Sequence, residues 1–253
     1  LVAAGKAAWQ MAHAARACLQ DNFCGGVVVT KYGHVKGEIA NVACFEGGHP
    51  VPDENSLRGT DAALALTEDL TESDTVVFLL SGGGSALFEK PLLPLAELQD
   101  VTNQLLAAGA DIVEINTIRK RLSAVKGGRF ARHCAPAQVF AVVLSDILGD
   151  PLDMIASGPA YPDSSSCAQA LDIAKRYGLR LSERAWALLA QETPKTLTNV
   201  ETQIPGSVRE LCAAAAAACE ALGYEPMILT DCLCCEAREA GSMLGSIART
   251  HAH

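Results

Sequence analysis

Apolar residues along the chain follow two rhythms, and their alternation predicts the fold. Short runs rich in small and β-branched residues recur at Leu1–Ala4, Gly26–Thr30, Ile39–Phe45, Thr75–Leu80, Gln138–Leu144 and Pro226–Thr230. Runs of this length and composition read as strands covered on both faces. Between them lie stretches of helical composition: Lys6–Leu19, Ser56–Leu70, Pro94–Ala108, Ile112–Val125, Cys167–Tyr177, Ser182–Gln191, Val208–Leu222 and Glu236–Ala248. Pro50, Pro52 and Asp53 interrupt the pattern. Strands separated by helices of this length predict an α/β fold: a mostly parallel sheet with helices on both faces. The turns after the strands then line one edge of the sheet, where such folds bind ligands. No repeat, low-complexity stretch or long linker divides the chain.

One of those turns stands out. The run Thr75–Leu80 ends in Ser81-Gly82-Gly83-Gly84-Ser85, and a helix-compatible segment follows. Successive glycines let backbone N–H groups approach an anion closely. A helix starting near Ser85 would aim its free N–H groups at the same spot. The loop therefore reads as a cradle for a phosphate or carboxylate, or else as a ligand-free βα turn. It is neither a Walker A loop nor a dinucleotide fingerprint: the Gly-Lys-Ser/Thr ending and the Gly-x-Gly-x-x-Gly spacing are both missing.

Other turns carry candidate chemistry. Lys6 opens a helix directly after a strand, where its charge opposes the helix dipole, so a bound phosphoryl group would compensate; an ordinary solvated lysine is the plainer reading. In Ile112–Val125, Ile115, Ile118, Leu122 and Val125 form an apolar stripe. Asn116, Arg119, Ser123 and Lys126 fall on an adjacent polar stripe, while Lys120 and Arg121 rotate toward solvent. That edge offers Arg for bidentate anion binding and Lys for a point-charge contact, or it is a solvated basic face. Asp146, after the buried strand Gln138–Leu144, is placed either to hold Mg²⁺ or to cap a turn. Ala156-Ser157-Gly158-Pro159 is another tight turn. His49, in the rigid loop Glu46–Asp53, reads as a hydrogen-bonded loop residue rather than a base. The sequence has no Gly-x-Ser-x-Gly elbow and no His-Glu-x-x-His.

Composition narrows the partners. Net charge is −9 with a sequence pI near 5.1 over 253 residues, and no basic block is present. Nucleic acid is therefore not an expected partner. No apolar run reaches the ~20 residues of a membrane span, and no secretory leader is visible, so no membrane role is expected. Ten cysteines are scattered without a Cys-x-x-Cys pair. Reduced thiols in a cytoplasmic protein are expected, not a zinc site. His251 and His253 read as a frayed terminus. The chain starts without Met, in what reads as the middle of a strand, and stops after a helix; a piece of a longer protein is expected.

Taken together, the motifs resemble the MOFRL-associated glycerate 2-kinase family. They are Gly5-Lys6-Ala7-Ala8 with Met11-Ala12, Glu46–Asp53, Leu80–Leu87, Ile115–Lys120 with Leu122-Ser123, and Lys126-Gly127-Gly128. Leu144-Ser145-Asp146 with Gly149-Asp150 and Ile155–Pro159 complete the set. They occur in family order over most of residues 1–160, and the match beyond is looser. The resemblance implies a Rossmann-like N-terminal domain spanning residues 1–253 and ATP-dependent phosphorylation of D-glycerate at its 2-hydroxyl. It carries the family's catalytic lysine onto Lys6. Two departures are visible: the family's C-terminal MOFRL domain, with a catalytic arginine, is absent from this chain, and Val208 stands where an Asn is expected.

The site expected on these grounds combines Lys6 with Gly82, Gly83, Gly84 and Ser85 as an anion cradle. Asn116, Arg119 and Lys126 would serve a second anionic group, and Asp146 would hold magnesium. D-glycerate and a nucleotide are the expected partners, with a homodimer left open. A hydroxypyruvate reductase, a label sometimes attached to this family, and a non-catalytic anion-binding fragment are the alternatives.

Overall fold

Strands apolar at successive positions need cover on both faces, and here they have it. The computed structural model describes residues 1–145 and 152–251. These fall into two compact units, Leu1–Ser207 and Val208–His253. In the first, six strands form one sheet: β1 (Val2–Ala4), β2 (Gly26–Lys31), β3 (Val42–Gly47), β4 (Thr75–Ser81), β5 (Gln138–Leu144) and β6 (Val200–Gly206). Their spatial order is β3-β2-β1-β4-β5-β6, and every pairing is parallel. The helices of this unit are α1 (Ala8–Leu19), α2 (Glu54–Leu66), α3 (Gly84–Leu87), α4 (Leu95–Ala107), α5 (Ile112–Arg121), α6 (Arg129–His133), α7 (Cys167–Arg176) and α8 (Glu183–Leu189).

The period of two along each strand sorts the side chains. Val2, Ala4, Val29, Phe78, Leu80, Ala141 and Val143 share one core with Leu87, Phe88 and Phe130. Three rings, Phe78, Phe88 and Phe130, meet there with centroids 4.8–5.6 Å apart. Ala3, Val28 and Leu79 face the other way and pack with Ala8 and Ala12 of α1. A third cluster joins α4, α5, α7 and α8 through Leu98, Val101, Ile115, Ile118, Ile173 and Leu189.

The expectation of an α/β fold with a mostly parallel sheet is met. Two strand assignments are corrected. β6 is an added strand whose apolar pattern is diluted by Glu201, Gln203 and Pro205; it lies at the sheet edge beside β5, where a proline is tolerated. Pro226–Thr230 forms no strand, and Met227 and Leu229 are 81% and 68% exposed. In the second unit α9 (Val208–Ala221) and α10 (Ala237–Thr250) bury no residue. Among the described residues no helix is long and apolar enough to cross a membrane.

Strand order reverses between β1 and β4. In open parallel sheets the crevice at the carboxyl ends of two such strands is the ligand site. Gly5-Lys6 leaves β1 there, and Gly82-Gly83 leaves β4.

Candidate active site

The two turns at the reversal are joined directly. The Lys6 N–H donates to the Gly82 carbonyl at 2.9 Å, and the Ala7 N–H to Ser81 Oγ at 3.0 Å. Thr30 Oγ1 donates to the Gly5 carbonyl at 2.9 Å, tying in β2. Gly83 sits at φ +88°, the left-handed region, and a Cβ there would stand 3.0 Å from the His49 ring and 3.2 Å from Lys6 Cγ. Glycine is thus required by both torsion and space, and it brings Lys6, Gly83 and His49 together. Lys6 is exposed and His49 half-buried. Helix α3 closes through Leu87 N–H to Gly83 and Phe88 N–H to Gly84. The amides of Gly84 and Ser85 precede those bonds and belong to the helix's free N-terminal set.

His49 rides on a stiff loop. Asp53 caps α2, with Oδ1 accepting from the Ser56 N–H at 2.9 Å and Oδ2 from Tyr32 Oη at 2.7 Å. Burial pushes the Asp53 carboxyl up, but hydrogen bonds from Tyr32, Ser56 and Gly48 outweigh it and bring the group down to about 2. A carboxylate held below its unfolded value stabilises the fold above that unfolded value and stops doing so as pH falls through the folded one. Its contribution is therefore expected in full above about pH 4 and lost toward pH 2. Asp53→Ala is expected to cost about 0.5–2 kcal/mol at neutral pH, as loss of an N-cap does. Urea titrations near neutrality and near pH 2 should show the gap between variant and wild type closing in acid.

The polar stripe expected on α5 needs correction. The helix stops at Arg121, so Ser123 and Lys126 are not on it. Arg119 and Lys126 do converge, but on the protein's own groups. Glu89 Oε2 lies 3.3 Å from Arg119 Nη2 and 3.1 Å from Lys126 Nζ. The Ser85 carbonyl accepts from both cations, at 2.9 and 2.8 Å, and Phe88 O from Lys126 at 2.9 Å. Lys126 and Glu89 are fully buried. Burial lowers the Lys126 ammonium to about 8, with Glu89 opposing the shift and Arg119 adding to it. Lys126 therefore anchors the far end of α3. Arg119 is 13% exposed in its side chain and also lines a groove of about 290 Å³ beside Pro50, Val51 and Pro52.

Lys120 and Arg121, expected to face solvent, are fully buried. Residues 152–166 and 192–195 fold over that side of α5 and bring acids to them. Lys120 Nζ lies 3.2 Å from Asp153 and 3.0 Å from Asp163, and Arg121 Nη1 donates to Ser165 Oγ at 2.9 Å. A helical wheel cannot foresee such a cover, because it comes from distant sequence.

Asn116 is brought to the glycine loop through Ser157, a turn residue outside the expected site. Ser157 Oγ donates to Asn116 Oδ1 at 2.9 Å and lies 3.3 Å from Ser85 Oγ. The Ala156–Gly158 turn packs on Gly84 so tightly that a Cβ on Gly84 would stand 2.7 Å from Ala156 Cβ. Asp146 lies outside the described residues. Among those described, no group of three or more His, Cys, Asp or Glu side chains is gathered to hold a metal.

Comparison with known proteins now places the chain. Residues 1–190 match the family model described as "Domain of unknown function (DUF4147)". The chain belongs to the DUF4147 family. Proteins similar to it carry informative names. It is 53% identical over 251 residues to the D-glycerate 2-kinase of Thermotoga maritima, a match covering 98% of this chain and 60% of that protein. It is 42% identical to a putative hydroxypyruvate reductase of Agrobacterium vitis, over 98% of this chain and 58% of that one. A crystal structure of glycerate kinase from Thermotoga maritima superposes with a TM-score of 0.93 at 53% identity, over 98% of this chain and 60% of that one. The chain thus spans about three fifths of the length of these relatives. The resemblance read from the motifs, to the glycerate kinase family of the MOFRL type, is borne out.

Proposed function

We propose that the whole protein is a glycerate 2-kinase, transferring the γ-phosphoryl group of MgATP to the 2-hydroxyl of D-glycerate. The observation that carries this is the joined pair of turns at the sheet's reversal point, an exposed lysine hydrogen-bonded through its backbone to a triglycine turn. The names of the similar proteins supply the substrate.

Phosphoryl transfer needs alignment and charge neutralisation more than covalent chemistry. Lys6 would neutralise charge on the transferring group. The amides of Gly82–Ser85 would hold an anion, either the glycerate carboxylate or a nucleotide phosphate. In this reading Arg119 and Lys126 act from behind the loop, fixing Ser85 through its carbonyl. Magnesium enters with the nucleotide as substrate, and Asp146 is its proposed protein contact; such ions take one or two carboxylates plus phosphates, so no larger cage is required. The opposite wall of the cleft is proposed to come from the portion of the protein corresponding to the relatives' unmatched length, the MOFRL domain. A cytoplasmic setting fits the ten free cysteines.

One relative's name favours a second reading, reduction of hydroxypyruvate. The two are separated by supplying purified protein with D-glycerate and MgATP, or with hydroxypyruvate and NADH. Release of ADP in the first mixture, with no NADH consumed in the second, is the expected result. NADH consumption without ADP release would replace the kinase reading. Binding of glycerate without either turnover would support the non-catalytic alternative.

A further inference from the structure

The chain Met154–Asn116–Ser157–Ser85 has a fixed direction, and the direction states what kind of group Ser85 can meet. Asn116 Nδ2 donates to Met154 Sδ at 3.7 Å. A thioether sulfur only accepts, so the amide nitrogen of Asn116 faces Met154 and its Oδ1 faces Ser157. That oxygen also only accepts. The single hydroxyl proton of Ser157 is therefore spent on Asn116, at 2.9 Å. Between Ser157 Oγ and Ser85 Oγ, 3.3 Å apart, the remaining proton must come from Ser85. Ser157 and Asn116 are buried, while Ser85 is half-exposed at the open end of the relay.

The relay is held at a cost. Ala156 and Ser157 have φ of +50° and +61°, the left-handed region, where side chains other than glycine are strained. Backbone bonds hold them there: Gly127 N–H to Ser157 O at 3.0 Å and Gly128 N–H to Gly158 O at 2.7 Å. The Gly127-Gly128 and Ser157-Gly158 backbones are thus bonded to each other, which presents Ser157 to Ser85.

We propose that the Ser85 hydroxyl is an acceptor for a hydroxyl group of the substrate, and that Ser157 and Asn116 are positioning residues that turn its proton away from the ligand. Phosphate and carboxylate oxygens, themselves acceptors, are met by the backbone amides and not by this side chain. The loop then reads two features of one ligand, an anion and a hydroxyl donor. This rests on the reading of Gly82–Ser85 as the ligand loop.

The test is calorimetric titration of the whole protein with D-glycerate and its two monodeoxy analogues, D-lactate and 3-hydroxypropionate. Ser85→Ala is expected to weaken D-glycerate roughly 2–10-fold, the range of one hydrogen bond, and to leave one of the two analogues unaffected. Ser157→Ala, which frees the Ser85 proton, is expected to lower the preference for D-glycerate over that same analogue; a merely structural role would weaken all three ligands alike. A Ser85→Ala loss shared equally by the three ligands, or no loss at all, overturns this inference and leaves the kinase reading standing. Wild-type protein that binds none of the three overturns both.

Discussion

Lys6→Ala is expected to lower phosphoryl transfer about 10²–10³-fold while leaving thermal melting unchanged. Removing one preorganised stabiliser of transition-state charge costs a reaction about 2.7–4 kcal/mol. Lys6 is exposed at the carboxyl end of β1, so its truncation removes charge and no core packing. Its backbone N–H, which holds Gly82, remains in the variant. Lys6→Arg keeps the charge on a wider head group and should recover part of the rate. Steady-state kinetics at saturating MgATP check this: the loss belongs in kcat, and a loss confined to KM would assign Lys6 to ground-state binding. A Lys6→Ala protein with near-normal turnover would remove the lysine from the mechanism.

Lys126→Met is expected to destabilise the fold by about 3–5 kcal/mol, the usual result of breaking one side of a buried ion pair. Glu89 would remain buried with Arg119 as its cation, and among the described residues its Oε1 already lacks a hydrogen-bond partner. The Phe88 carbonyl would lose its lysine donor as well. Combining Lys126→Met with Glu89→Gln should recover part of the loss, since both charges are then gone. Acid–base behaviour offers a second reading of the same group. The Lys126 ammonium titrates near 8 in the fold against 10.5 for the free side chain. The unfolded chain binds the extra proton between those values, so this group makes stability rise with pH across that window. Urea titrations from about pH 8 to 10 should show that increment in wild type and not in Lys126→Met.

Much of this was legible in the residues, for identifiable reasons. β1, β2, β4 and β5 are central strands covered on both faces, and such strands write themselves as unbroken apolar runs. The glycine loop and Lys6 were legible because backbone chemistry at a strand end depends on local sequence. β6 was not, because an edge strand with alternating exposure and Pro205 carries little apolar signal. The solvent reading of Lys120 and Arg121 failed because their partners Asp153 and Asp163 lie some thirty or more positions onward. Glu89 left only a faint trace, a single acid closing the apolar run Ala86-Leu87-Phe88. Ser157 left a clearer one, a tight turn with no assigned task. His49 was read as a loop residue, and only the closeness of Gly83 shows that the loop reaches the site.

The proposed reaction is phosphoryl transfer to one hydroxyl of one acid. Phosphorus NMR of the products formed from D-glycerate and MgATP by the whole protein tests it most directly. ADP and 2-phosphoglycerate in equal amounts are the expected products. Phosphate on the 3-hydroxyl, or ATP left intact while hydroxypyruvate is reduced by NADH, would contradict it.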